Sequence, residues 1–233
     1  MLILSIETSG ETASAAVVTE GRVLAEINLA NKKTHSETLM PAVDFLLRAS
    51  GIEINDVDYV ALGAGPGSFT GLRIGAAAAK GICHGAGKKL IPVPTLDALA
   101  YNVCGYPLVA PVMDARRGQV YSCVYENNGG RLTKMTEYMA EDLELVLETA
   151  AKLNLYAGGV VFTGDGTNVF GDMIKAYDKK FHIAPEHLRL QRAASVGLVA
   201  LGRADEAVGY EANPVIYLRK PQAEREREAN AAR

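Results

Sequence analysis

Tryptophan is absent from the 233 residues, and cysteine is scarce. Cys83, Cys104 and Cys123 are odd in number, widely spaced and form no C-x-x-C. That argues against a disulfide framework and a zinc knuckle, and reads as reduced thiols in a cytosolic protein. No apolar run approaches the roughly 18 residues that span a bilayer. Met1-Leu2-Ile3-Leu4 has no basic flank and Glu7 interrupts the apolar stretch, so no signal peptide is expected. A basic excess is missing too: 24 Lys+Arg stand against 27 Asp+Glu, a net charge of −3. Chains that grip nucleic acid alone draw much of their affinity from neutralised phosphates, so any nucleic-acid role here is expected to be shared with a partner. Sequence signatures of catalysis are also lacking. There is no H-E-x-x-H and no G-x-S-x-G elbow. His182 and His187 are five apart with Pro185 between them, a spacing that no helix turns into a metal site, and His35 and His84 stand far away in sequence.

What is present is ordinary globular material, 48% hydrophobic and 22% charged, which excludes general disorder. The length fits one large domain or two small ones. Leu2 to Glu7 is an apolar run ending in a carboxylate, Ala13 to Val18 is a second strand, and Glu20-Gly21 is a hairpin turn. Arg22 to Leu29 alternates apolar and polar residues, as a half-buried third strand does. A helix is expected after Ser36 as N-cap, with Leu39, Val43, Leu46 and Leu47 on one face and Gly51 as its stop. Tyr59 to Leu62 is a short strand leading into Gly63–Gly71. A second helix follows over about Thr70 to Gly87, then a strand at Lys89 to Val93 and a helix from Leu96 to Val103 capped by Thr95.

The opening pattern then recurs about one hundred residues on. Leu108 to Asp114 is again an apolar run ending in a carboxylate. Val120 to Tyr125 is the next strand, Asn127-Asn128-Gly129-Gly130 a hairpin turn, and Arg131 to Tyr138 the third strand. Helices are expected over Glu141 to Leu153 and Ala194 to Val208, with a buried strand at Gly159 to Thr163 entering Gly164-Asp165-Gly166. A repeated strand–turn–strand–turn–strand plan followed by helices predicts an α/β protein of two similar lobes. The divisions expected are an N-terminal lobe over 1–105, a C-terminal lobe over 106–218 and a solvated polar tail over 219–233.

Three features carry candidate chemistry. Glycines between a strand and a helix, as in Gly63–Gly71, sometimes turn their N–H groups to an anion. Here the P-loop lysine is missing after Gly71, and Thr70 stands where a dinucleotide fingerprint needs glycine, so a structural turn is the stronger reading and phosphate binding the alternative. In the next helix Gly71, Gly75 and Ala79 lie four apart, a stripe that costs helix propensity of about 1 kcal/mol per glycine. Close approach of another helix offsets such a cost, and from the residues alone internal packing and a subunit interface stand level. Glu7 and Asp114 end equivalent strands, and serve either as local hydrogen-bond acceptors in turns or as carboxylates of a cleft between the lobes.

Taken together, Leu4-Ser5-Ile6-Glu7-Thr8-Ser9, His35-Ser36-Glu37-x-Leu39-Met40-Pro41, Gly65-Pro66-Gly67-Ser68-Phe69-Thr70-Gly71-Leu72-Arg73-Ile74-Gly75, Asp114 to Tyr121, Gly164-Asp165-Gly166 and Pro214-x-x-Tyr217-Leu218-Arg219 resemble the TsaB (YeaZ) family of tRNA threonylcarbamoyladenosine biosynthesis proteins. The resemblance spans nearly the whole chain. It implies an actin-like ATPase (ASKHA, ribonuclease H-like) fold, homology to the catalytic subunit TsaD, and a non-catalytic scaffold role in a cytoplasmic complex. That complex would place threonylcarbamoyl on N6 of the tRNA adenosine next to the anticodon. The strand Leu90–Val93 is followed by Pro94-Thr95-Leu96-Asp97-Ala98, where TsaD carries a His-rich metal motif, so no metal site and no resident cofactor are implied. ATP or ADP is implied for the complex, and for this chain the question stays open. Implied partners are TsaD, the ATPase TsaE, tRNA through the complex, and a second copy in a homodimer. Carried over by position, the partner face takes His35, Leu39, Val43, Gly71, Leu72, Gly75, Ala78, Ala79 and Ile82. A candidate nucleotide cleft takes Glu7, Thr8, Ser9, Asp114, Gly164 and Gly166. The competing reading is an ATP-dependent small-molecule kinase or ATPase of the same fold.

Overall fold

A computed structural model describes residues 1–103, 105–154 and 158–219; Cys104 and all of the expected tail except Arg219 lie outside the described residues. The first strand, β1 (Leu2–Glu7), is buried at every position but Leu2 because it is central. It pairs antiparallel with β2 (Ala13–Thr19) and parallel with β4 (Tyr59–Gly63). The alternating segment β3 (Arg22–Leu29) lies at one edge and β5 (Lys89–Val93) at the other, giving the order β3-β2-β1-β4-β5. Side chains of β1 leave on both faces in turn. Leu4 and Ile6 meet α1 (His35–Ser50) and α2 (Phe69–Ala86), while Ile3 points to the opposite face.

Helix ends follow local chemistry with shifts of one or two residues. α1 starts after Thr34 rather than Ser36 and ends as expected at Gly51, whose φ of 67° suits glycine and whose N–H reaches back to the last turn. α2 is capped by Ser68, whose Oγ accepts the Gly71 N–H at 3.3 Å. The third helix, α3, runs from Thr95 to Tyr101 with Pro94, not Thr95, at its cap position. Thr95 is occupied elsewhere: its Oγ1 accepts the Gly65 N–H at 3.2 Å.

The second sheet repeats the first. Its elements are β6 (Leu108–Arg116), β7 (Gln119–Ser122), β8 (Tyr125–Asn128), β9 (Arg131–Lys134), β10 (Met139–Asp142), α4 (Leu143–Leu153), β11 (Val160–Thr163), α5 (Gly166–Tyr177) and β12 (Phe181–Ile183). The order β10-β7-β6-β11-β12 matches β3-β2-β1-β4-β5 strand for strand. These two sheets with their flanking helices are the expected actin-like ATPase fold. One expectation changes. The counterpart of β3 is β10, not the stretch from Arg131 to Tyr138, and the Asn127–Gly130 turn belongs to an inserted hairpin, β8–β9. The strand expected from Val120 to Tyr125 breaks in two because the Val124 N–H goes to Thr136 Oγ1 at 3.0 Å instead of to a ladder. β6 is buried on both faces like β1. Leu108, Ala110 and Val112 face the core with α4 and α5, and Val109 and Met113 face α3.

The chain then recrosses. α6 (Ala193–Ala200) packs on β1, β2, β4 and β5, and Val208 and Leu90 exchange backbone hydrogen bonds at 2.8 and 2.9 Å. Residues from about Ala193 onward therefore complete the first lobe, and the C-terminal lobe is shorter than the expected 106–218. The helix expected to reach Val208 stops at Ala200, before Gly202, a short 3-10 turn at Ala204–Glu206 and the pairing of Val208 with β5.

Candidate functional site

A cleft of about 410 Å³ lies between the lobes, walled by Ser9, Gly10 and Glu11 after β1, by Asp114 and Arg116 at the end of β6, and by Asp165 at the start of α5. Phe69, Tyr217 and Arg219 line its mouth. Of the six residues expected there, Ser9 and Asp114 are in the wall. Asp114 is held by the Arg116 N–H at 2.8 Å and the Arg116 guanidinium at 3.2 Å. Glu7 lies beneath the wall, fully buried, and Thr8 is buried with its hydroxyl donating to the Gly71 carbonyl at 2.8 Å. Gly164 and Gly166 press on β6 instead. A Cβ would meet the Val112 carbonyl oxygen at 2.3 Å from Gly164 and at 2.8 Å from Gly166, so these glycines allow the close crossing of α5 and β6. Glu11, Asp165, Arg116 and Arg219 were not foreseen. Asp165 had a signal, because Gly164-Asp165-Gly166 opens the second lobe's β11–α5 turn, but its meeting with Glu11 is long-range.

The Gly63–Gly71 loop is a structural turn. Four of its N–H groups are spent inside the chain: Ala64 donates to Val93 O at 2.8 Å, Gly65 to Thr95 Oγ1, Ser68 to Ser9 O at 2.7 Å and Gly71 to Ser68 Oγ. Gly65, at φ 107°, sits so close to Ile216 that a Cβ would come within 2.4 Å of its carbonyl oxygen.

Burial governs the two unusual carboxyls. Glu7 Oε1 accepts the Ser9 N–H at 2.5 Å, but Oε2 is buried without a partner, flat against Gly63. Burial pushes this carboxyl above its ordinary value. Asp165 is pushed up to about 6, first by burial and then by the nearby Glu11 and Asp114 charges. A raised carboxyl binds its proton more tightly in the folded state. Its contribution to stability is complete below the unfolded pKa of about 4.3 and is lost as pH rises through the folded value. Glu7→Gln removes the ionisation while keeping an oxygen for Ser9. It is expected to match the native protein near pH 4 and to exceed its stability by about 1 kcal/mol or more at pH 8. Urea denaturation at the two pH values checks this; equal differences at both would show that Glu7 is not the titrating group.

The helical face differs from expectation in one important respect. Leu39 and Val43 of α1 are core residues, and Gly71, Leu72, Gly75 and Ala79 of α2 are buried against the chain's own sheet. A Cβ on Gly71 would lie 2.0 Å from Thr8 O, and one on Gly75 would lie 2.3 Å from Thr8 Oγ1. The stripe therefore serves internal packing, and these six residues have no surface to offer a partner. His35 is half-buried, with Nε2 3.0 Å from Gly10 O. Ala78 and Ile82 sit half-buried at the edge of the helix pair. A second small-residue line, Ala77, Gly81 and Gly85, lies on the outer side, about 200° further round the helix. Gly81 and Gly85 have nothing within 4 Å of where a Cβ would be. On the adjoining α1, Phe45 is 63% exposed and Met40 45%. By sequence the Gly71 line alone stands out; burial shows that this line is the inner one and that the Ala77 line is the outer one.

Among the described residues no three His, Cys, Asp or Glu side chains come together as a metal site, and no helix is long and apolar enough to cross a membrane. The family model described as TsaD, tRNA N6-adenosine threonylcarbamoyltransferase, matches residues 22–227. The tRNA threonylcarbamoyladenosine biosynthesis protein TsaB of Bacillus subtilis is 33% identical over 230 residues, covering 96% of each chain. The chain belongs to the TsaB family. The TsaB protein of Escherichia coli is 33% identical over 181 residues, 75% of this chain and 76% of its own. YeaZ from Pseudomonas aeruginosa superposes with a TM-score of 0.76 at 25% identity, over 93% of this chain and 99% of that one. The TsaB relationship thus extends through both lobes and past the point where α6 returns to the first sheet.

Proposed function

We propose that this chain is a non-catalytic subunit of the cytoplasmic machinery that makes threonylcarbamoyladenosine in tRNA. The observation that carries the reading is the end-to-end relationship to a TsaB protein, 96% of each chain. The chain pairs with a TsaD-family subunit through the outer face of α1 and α2, which exposes Phe45 and Met40 on α1 and the open small-residue line of Ala77 and Gly81 on α2. Exposed large apolar side chains together with residues that permit close helix approach suit a helix–helix contact. The same face accounts for pairing with a second copy when the TsaD subunit is absent. TsaE joins the assembled pair, ATP or ADP is handled by the complex, and tRNA is engaged through it. Support for the non-catalytic reading comes from the glycine-rich loop, where the Ala64, Gly65, Ser68 and Gly71 N–H groups are donated within the chain rather than held for a phosphate.

Mixing the chain with TsaD, TsaE, tRNA, ATP and the threonylcarbamoyl donor tests the reading. Modified nucleoside is expected when all proteins are present and at background level when this chain is omitted or acts alone. Modification of tRNA by the isolated chain would overturn the non-catalytic assignment. The kinase alternative predicts micromolar ATP binding with phosphate release by the isolated chain, measured by calorimetry with Mg²⁺.

A further inference from the structure

A second cavity, also about 410 Å³, shares no lining residue with the inter-lobe cleft. Its floor is Asp97 of α3, which is 8% exposed. Asp97 Oδ1 accepts the Tyr125 hydroxyl at 2.6 Å and the Tyr138 hydroxyl at 2.8 Å, and Oδ2 is paired with the Arg203 guanidinium. Leu198, Val199 and Leu132 form apolar walls, and Tyr101 stands at the mouth with 42% of its surface exposed. Lys134 also lines the cavity, its Nζ 4.4 Å from the centre of the Tyr138 ring.

Structural need explains the floor, because a buried carboxylate requires partners and this one ties α3 to β8 and to the segment after α6. It does not explain Tyr101, which has no hydrogen bond to the tie among the described residues, nor the charge of Lys134, which meets the tie only through the Tyr138 ring. The hydrogen-bond inventory says what would fill the space. Asp97 already accepts from three donors, leaving about one of its four lone-pair sites, and an ammonium ligand there would lie against the Arg203 guanidinium. Tyr125 and Tyr138 have spent their protons on it. The remaining side-chain donors are the N–H groups of Lys134 and Arg203 and the Tyr101 hydroxyl, and the two charged ones seek an anion. The formal charge of the lining is +1, from Lys134, Arg203 and Asp97. Glu137, 3.3 Å from Lys134, and Glu206, 3.9 Å from Arg203, are outside the lining, 91% and 53% exposed, and such solvated contacts hold their partners weakly.

We infer that this cavity binds a small aromatic anion, with its flat ring against Tyr101 and the Leu198–Val199 wall and its carboxylate or phosphate between Lys134 and Arg203. A mostly apolar hollow of this size with a few convergent polar groups is the usual form of a small-molecule site. Aromatic carboxylates and nucleoside monophosphates share the required chemistry. The site is separate from the proposed partner face, so the two readings stand or fall apart.

The chain has ten tyrosines and no tryptophan, so ring-labelled tyrosine NMR of the full protein gives a sparse spectrum in which Tyr101, Tyr138 and Tyr217 are assigned by Tyr→Phe substitution. The probes are 4-hydroxybenzoate and adenosine 5′-monophosphate, with phenol and adenosine as their uncharged counterparts. At least one anion is expected to shift Tyr101 and Tyr138 saturably while Tyr217, in the cleft, stays put; the one that does identifies the source. Its uncharged counterpart is expected to bind about tenfold more weakly. Tyr101→Ala should weaken binding about tenfold, and Lys134→Met about fivefold, with Lys134→Arg restoring it. The inference is overturned if neither anion moves Tyr101 at millimolar concentration, if Tyr217 responds instead, if phenol or adenosine binds as tightly as its anion, or if Lys134→Met has no effect.

Discussion

Gly71→Ala is expected to destabilise the fold by about 3 kcal/mol, the upper end of overpacking costs. The added methyl would lie 2.0 Å from the Thr8 carbonyl oxygen and 3.4 Å from the His35 ring. The first of these is backbone, held because Ser9, the next residue, accepts the Ser68 N–H and donates its own N–H to Glu7. No rotamer relieves the clash, so α2 must shift away from β1 and open the core around Leu62 and Leu72. Gly81→Ala, on the other side of the same helix, meets nothing within 4 Å. There the change removes only the propensity cost of glycine, and a gain of about 0.5–1 kcal/mol is expected. Urea midpoints for the two single variants make the test. A loss at Gly71 with no loss at Gly81 fixes the inner face of α2, while similar effects at both would contradict the packing described.

Phe45→Asp is expected to reduce affinity for the TsaD-family subunit by about 2 kcal/mol, roughly thirtyfold, with little change in the stability of the isolated chain. Phe45 is 63% exposed, so its ring contributes little to this chain's own core. An aromatic ring buried at the centre of an interface is a common anchor, and a carboxylate in its place would be desolvated without a partner. Val169→Asp serves as the control. Val169 on α5 is similarly exposed, at 62%, but lies on the other lobe. Titration of the three proteins against a TsaD-family partner by calorimetry is decisive. If Phe45→Asp binds as the native chain does, or if Val169→Asp is the variant that fails, the partner face is not α1 and α2.

Much of the architecture was legible before any coordinates. The apolar runs at Leu2–Glu7 and Leu108–Asp114 marked the two central strands because a strand covered on both faces loses its alternation. The Gly51 stop, the Glu20-Gly21 turn and the half-buried edge strand β3 followed from local rules. The inserted β8–β9 hairpin was missed because Asn127–Gly130 is a genuine hairpin turn that happened to stand where the repeat required one. The candidate cleft was half legible: strand ends pointed to Asp114 and to the loop after Glu7. Gly164 and Gly166 signalled a close crossing, which is a second use of glycine that looks the same in one dimension.

By itself the sequence determined the two-lobe repeat and the order of strands and helices in the first lobe. Those features rest on short-range patterns, the periods of two and 3.6 residues and the turn chemistry of glycine, asparagine and proline. Tertiary structure alone decided which side of α2 faces inward, that α6 returns to the first sheet, and which carboxyls share the cleft. Each of these depends on partners far apart in the chain, such as Gly71 with Thr8, Val208 with Leu90 and Asp165 with Glu11. A line of small residues states that something approaches the helix closely. Whether that something is the chain's own strand or another molecule is settled only when the sheet is in place.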